Sequence, residues 1–156
     1  MLLLRVGMYK SLWEEPNPIS DIVEKEFCDE NAQPDLRLSI YEVESTEVIR
    51  CFAEHTAAAK LKPPNGRTHV DMSGAPAELH QDPLEGPFAL VRTAHCELVF
   101  QDSGSLTAFL ALVRTEFGQR GRRTTGAEVK SYVRARIAAN DPEWVTFVAA
   151  NPSWDL

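Results

Sequence analysis

The stretch LRLSIY at residues 36–41, followed by STEVIRCFAEHTAAA at residues 45–59, decides how this chain is read. In the first, Leu36, Leu38 and Ile40 alternate with Arg37, Ser39 and Tyr41, the period of two of a half-buried strand. In the second, Ser45 suits a helix cap, and Val48, Ile49, Phe52 and Ala59 share the inner face of the helix. The same order precedes it. Leu2, Leu4, Val6 and Met8 alternate along a strand over Leu2–Tyr9. Asn17 and Pro18 suit the cap and first position of a helix, whose face is Ile19, Ile22, Val23 and Phe27 before Pro34 ends it. This β-α-β-α half, residues 1–60, predicts a parallel strand pair joined by a right-handed crossover.

Residues 61–87 break the pattern with Pro63, Pro64, Gly66, Gly74, Pro76, Pro83, Gly86 and Pro87. They read as one long loop, with room for an edge strand at Thr68–Met72 and a short helix at Ala75–Gln81. Loops beyond about 12–15 residues are usually functional or mobile. Residues 88–156 read as a strand plus three helices. The run Phe88–Phe100 is apolar, but as one strand it would span about 43 Å, so a bend or a second strand is expected near Thr93–His95. Leu106, Phe109, Leu110, Val113 and Phe117 mark the first helix, ended by Gly118. Thr125 and Glu128 have capping-box spacing ahead of Val129, Tyr132, Val133 and Ile137. Asp141-Pro142-Glu143 opens a last helix that Asn151-Pro152 closes. The expected fold is a single α/β or α+β domain over residues 1–156. Its sheet has three to four strands, at least partly parallel, with about five helices, three of them C-terminal.

The chain has 156 residues, 44% hydrophobic and 25% charged, enough to build its own core. The apolar run Met1–Leu4 is broken by Arg5, which is too short for a signal peptide or a membrane span, so a cytoplasmic protein without membrane contact is expected. Cys28, Cys51 and Cys96 are odd in number and widely spaced, which suits reduced thiols. His95 and Cys96 are strand neighbours that point to opposite faces, whereas Cys51 and His55 are four apart on a helix and can meet. Eleven arginines against five lysines suit a GC-rich bacterial gene. No glycine-rich nucleotide loop and no GxSxG elbow is present, and no cofactor is expected.

Charge is uneven. Arg114–Arg136 holds seven basic residues against two acidic ones, a net +5 that leaves −12 for the rest of a chain whose total is −7. Such asymmetry concerns partners more than fold. Arg120, Arg122, Arg123 and Arg134, with Trp144, Phe147 and Trp154, form a basic, aromatic-bearing last third. Arginine and tryptophan are enriched at interface hot spots, so a small non-enzymatic accessory protein that binds another protein, or a second copy, is the first reading. The same aromatics also fit a helix buried across the domain's own sheet. Nucleic-acid phosphate is a further alternative for Arg120–Arg136, weakened by the acidic remainder.

A different class of reading places a small enzyme or anion-binding site at the carboxyl edge of a parallel sheet. There Lys10, Glu44, Asp102 and Ser103 would meet beside a helix N-terminus, although capping also accounts for the polar residues. Two His-x-Asp pairs, His69 with Asp71 and His80 with Asp82, are metal-ligand types without a helix-fixed spacing, and a solvated polar loop explains them as well.

Overall fold

The computed structural model describes residues 1–8, 18–19, 36–59, 62–63 and 65–156. Its strands are β1 (Leu2–Met8), β2 (Arg37–Val43), β3 (Gly66–Asp71), β4 (Ala77–Gln81), β5 (His95–Phe100) and β6 (Gly121–Thr125). Its helices are α1 (Val48–Ala58), α2 (Ala89–Ala94), α3 (Ser103–Thr115), α4 (Phe117–Arg120), α5 (Gly126–Ala138) and α6 (Pro142–Ala150). The strands form one sheet in the order β4-β5-β2-β1-β3-β6.

Every neighbouring pair is antiparallel, which overturns the expected three- to four-stranded, partly parallel sheet. Among the described residues the fold is α+β, with six antiparallel strands and six α-helices. Leu2 pairs with Val43 and Leu4 with Tyr41, so β2 runs back along β1. The crossover rule constrains handedness once two strands are parallel; the order strand-helix-strand does not itself set direction. The helix read at residues 17–27 lies outside the described residues, apart from Pro18 and Ile19.

Three further corrections have local causes. The connection over residues 61–87 contains β3, which takes in most of the strand read at Thr68–Met72 but lies inside the sheet and not at its edge, and β4, where Ala77–Gln81, read as part of a short helix, is a strand. β3 is enclosed on both faces, which buries Thr68 and His69 and removes the alternation that marks a half-exposed strand. β4 is an outer strand with four of its five residues exposed, so it carries no apolar face to read. In Phe88–Phe100 the chain does change at His95, but its first half is α2. Phe88, Val91 and Ala94, spaced by three, are the buried positions.

Two cores flank the sheet. On one face Leu4, Tyr41 and Val43 pack with Phe52 of α1, Val91 of α2, Val129 and Val133 of α5, and Trp144 and Phe147 of α6. On the other, Leu38, Ile40, Val70 and Leu98 meet Leu106, Phe109, Leu110 and Val113 of α3. Three caps read from sequence are present: Asp102 accepts from the Ser105 amide, Thr125 and Glu128 form the reciprocal capping box, and Asp141 accepts from Glu143. Ser45 is not a cap: it opens a 3-10 turn over Ser45–Glu47, and Glu47 precedes α1 without a side-chain cap bond.

Trp144 is 1% exposed, with its ring 4.5 Å from Phe88 and 5.9 Å from Trp154. Truncation leaves a cavity that the surrounding rings cannot close. Trp144→Ala is therefore expected to lower unfolding free energy by about 3–5 kcal/mol. Urea unfolding followed by circular dichroism measures this, and a loss under about 1 kcal/mol would contradict the core assignment.

Candidate functional site

Arg122 and Arg123, read as part of a basic last third, lie on an outer strand, β6. It pairs with β3 from Gly66↔Thr125 to Val70↔Gly121. Glycines permit close contacts at both ends, with β6 itself at Gly66 and with Phe117 of α4 at Gly121. Gly66 has a φ of +108°, and a Cβ there would lie 2.7 Å from the Thr124 carbonyl oxygen. A Cβ at Gly121 would lie 2.8 Å from the Phe117 ring. Between them, Thr124 is buried and its Oγ1 sits 2.9 Å from His69 Nε2.

Arg122 lies opposite His69 and Arg123 opposite Thr68, so the two exposed arginines leave β6 on opposite faces of the sheet. Exposed Arg67, on β3, shares the face of Arg122. Arg122 also acts on Glu128, the capping-box carboxyl, whose pKa is lowered chiefly by its hydrogen bonds to Thr125. Among the described residues β4 and β6 are the outer strands of the sheet.

Three of the other basic residues have internal partners. Arg120 donates to Glu116 at 2.6 Å and to the carbonyls of Ser73 at 2.7 Å and Asp71 at 3.1 Å, tying α4 to the end of β3. Arg134 donates to the Leu156 carbonyl oxygen at 2.5 Å, and Arg136 pairs with Asp141 at 2.8 Å. Trp144, Phe147 and Trp154 are buried in the core beneath α6. Arg120 and Arg136 are thus part of the fold's internal pairing, and two of the exposed arginines, Arg122 and Arg123, sit on a strand.

The strand-end set does not converge. Since β2 runs opposite to β5, Glu44 after β2 and Asp102 and Ser103 after β5 stand at opposite ends of the strands. Lys10 lies outside the described residues. The His-x-Asp pairs are also apart, His69 and Asp71 on β3 and His80 and Asp82 at β4, with β5, β2 and β1 between. Asp71 accepts from the Ser73 hydroxyl and amide, and His80 pairs with Glu78 at 2.9 Å. Among the described residues no group of three or more metal-ligating side chains converges.

Sequence reading missed a run of polar side chains on the face beneath α1. Tyr41 Oη lies 2.8 Å from His55 Nδ1, and the rings of Tyr41 and His95 stand edge-on with centroids 5.4 Å apart. His69 lies against Phe52, centroids 4.6 Å apart. Burial, followed by the charge of Arg5, holds His55 down at about 4. Burial, followed by Arg122, holds His69 at about 4. Cys51, one turn before His55, is pushed up by burial, the environment of an inert thiol; Cys96 is raised by burial as well. Buried Glu54 accepts from Arg50 at 2.8 Å, and burial raises its carboxyl. The only signal for this run was its residue types, because strand pairing and α1 packing bring together positions 14 to 54 residues apart.

Comparison with known protein families, with characterised proteins and with solved structures finds no match to this chain. The described helices include none long and apolar enough to cross a membrane.

The histidines make stability depend on pH with a definite sign. Both pKa values are lowered in the fold to about 4, so below the unfolded value of about 6.5 the unfolded chain binds more protons than the fold. Stability is present above that value and falls as pH drops toward 4, by up to about 1.4 kcal/mol per pH unit for each histidine. Glu54, being raised, titrates with the opposite sign, so the informative quantity is a difference. Urea unfolding of wild type and His69→Gln between about pH 7 and pH 5 is expected to show the shallower slope in the variant. Equal slopes would remove His69 from the account.

Proposed function

We propose that this protein is a binding module that takes an acidic, extended segment of another protein as an added strand along β6. The observation that carries the reading is an outer strand with Arg122 and Arg123 exposed on its two faces. A strand at a sheet edge presents backbone donors and acceptors to an incoming chain, and side chains on alternate faces supply selectivity. An acidic segment laid on β6 would send successive carboxylates to opposite faces, one toward Arg122 and Arg67, the next toward Arg123. Charge of this kind raises the association rate and excludes basic partners more than it adds affinity. The buried Trp144, Phe147 and Trp154 enter as the platform beneath α6, not as contact residues. The acidic remainder of the chain disfavours a nucleic-acid polyanion at the same arginines.

The test uses a fluorescent acidic peptide of strand-forming composition and the full chain. Anisotropy is expected to show binding that weakens at least about tenfold in Arg122→Glu/Arg123→Glu, about 1.4 kcal/mol. Hydrogen exchange is expected to slow at the β6 amides when the peptide is bound. Binding that leaves those amides unchanged would replace strand addition with side-chain docking. Tighter binding to a single-stranded oligonucleotide than to the peptide would transfer the patch to nucleic acid. Light scattering that shows wild type assembling with itself, and the variant not, would make the partner a second copy.

A further inference from the structure

Ser39 lies on β2 on the face of Tyr41, yet Tyr41 is buried and Ser39 is exposed. Helical cover on this face therefore ends between them. The Ser39 hydroxyl is hydrogen-bonded to Nε2 of His95, which stands diagonally across on β5. His95 is buried, 6% exposed, against the Tyr41 ring. Its Nδ1 lies 2.7 Å from the Asp82 main-chain oxygen and 3.2 Å from Asp82 Oδ2. A carbonyl oxygen only accepts, so in the neutral ring Nδ1 carries the proton, and Nε2 presents a lone pair to the Ser39 hydroxyl. The Asp82 amide returns a hydrogen bond to the His95 carbonyl at 3.1 Å, which pins the two residues together. Arg5 Nη1 donates to the Ser39 carbonyl at 3.0 Å and brings a positive charge beside the hydroxyl.

We propose that Ser39, His95 and Asp82 form a nucleophilic site that hydrolyses small carboxylic esters. The proposal goes beyond the strand-binding reading and does not rest on it. The geometry is that of an activated serine: hydroxyl to imidazole, imidazole to an acceptor that fixes its tautomer. As Ser39 Oγ bonds to the ester carbonyl carbon, its proton passes to His95 Nε2 and the carbonyl π pair moves to oxygen beside Arg5. The tetrahedral adduct collapses, the bond to the alkoxide breaks, and His95 gives that proton to the leaving oxygen. Water then attacks the acyl-serine, losing a proton to His95. The second adduct breaks its bond to Ser39 Oγ, which regains the proton, and the carboxylic acid departs. Asp82 acts here as a positioning residue.

The site lies open on the sheet face, so a small activated ester suits it. With p-nitrophenyl acetate and the full chain, wild type is expected to turn over ester faster than Ser39→Ala by at least about 100-fold. A fluorophosphonate probe is expected to label Ser39, located by mass spectrometry of the labelled peptide. Ser39 is exposed, so Ser39→Ala should retain its circular dichroism spectrum and melting temperature. His95 is buried, so the test of the relay is Asp82→Asn, on a side chain that is 50% exposed. That variant is expected to lose about tenfold in kcat with KM retained, as a group acting through the imidazole would. Unlabelled Ser39, or ester turnover that survives Ser39→Ala, would overturn the proposal. An Asp82→Asn variant with unchanged kcat would remove Asp82 from it.

Discussion

The fold depends on β2 being buried from both sides. Leu38 and Ile40 face α3, while Tyr41 and Val43 face α1. A strand that buries both faces must sit inside a sheet with a helical layer above and below. β1 and β5 meet this need as its two neighbours, and β3 extends the sheet beyond β1. The helices then follow from where apolar surface remains. Loss of this double burial would remove the reason for either layer to pack.

The same arrangement sets the chemistry of the polar groups. Glu54, His55 and His69 lie where α1 covers the sheet, so desolvation is the first cause of each shift, lowering the histidines and raising the carboxyl. Ser39 lies where that cover stops, and only there does a hydroxyl on an inner strand reach solvent. Arg122 links the covered region to the outer strand. It depresses His69 from the outer strand while its own side chain remains exposed. Charge added at the β6 edge would therefore alter the protonation of a buried group two residues from Asp71.

Local patterns translated well wherever a single element decides them. Asp102, Thr125 and Asp141 cap helices as their spacing implies, because a cap is satisfied by amides two or three residues away. The stripe Leu106, Phe109, Leu110, Val113 is the buried face of α3, since helical periodicity is a property of one segment. The break at His95 was legible from length alone, but its helical half was not, because an apolar run hides a spacing of three. The arginines at Arg120–Arg123 were visible as charge. That Arg120 is structural depends on carbonyls of Ser73 and Asp71, nearly fifty residues away, and that Arg122 and Arg123 stand on opposite faces depends on their pairing with β3.

By itself the sequence determined the strand and helix segments with strong periodicity, the caps at Asp102, Thr125 and Asp141, and an uneven charge; each is set by residues within a few positions of one another. The tertiary structure alone decided the direction of every strand, because antiparallel and parallel pairing use the same alternating residues. It also decided that Trp144, Phe147 and Trp154 are core, because an aromatic is buried or exposed only by what packs on it. The meeting of Ser39, His95 and Asp82 belongs to the same class. Strand register brings together residues separated by 56 and 13 positions, and nothing in their local spacing announces it.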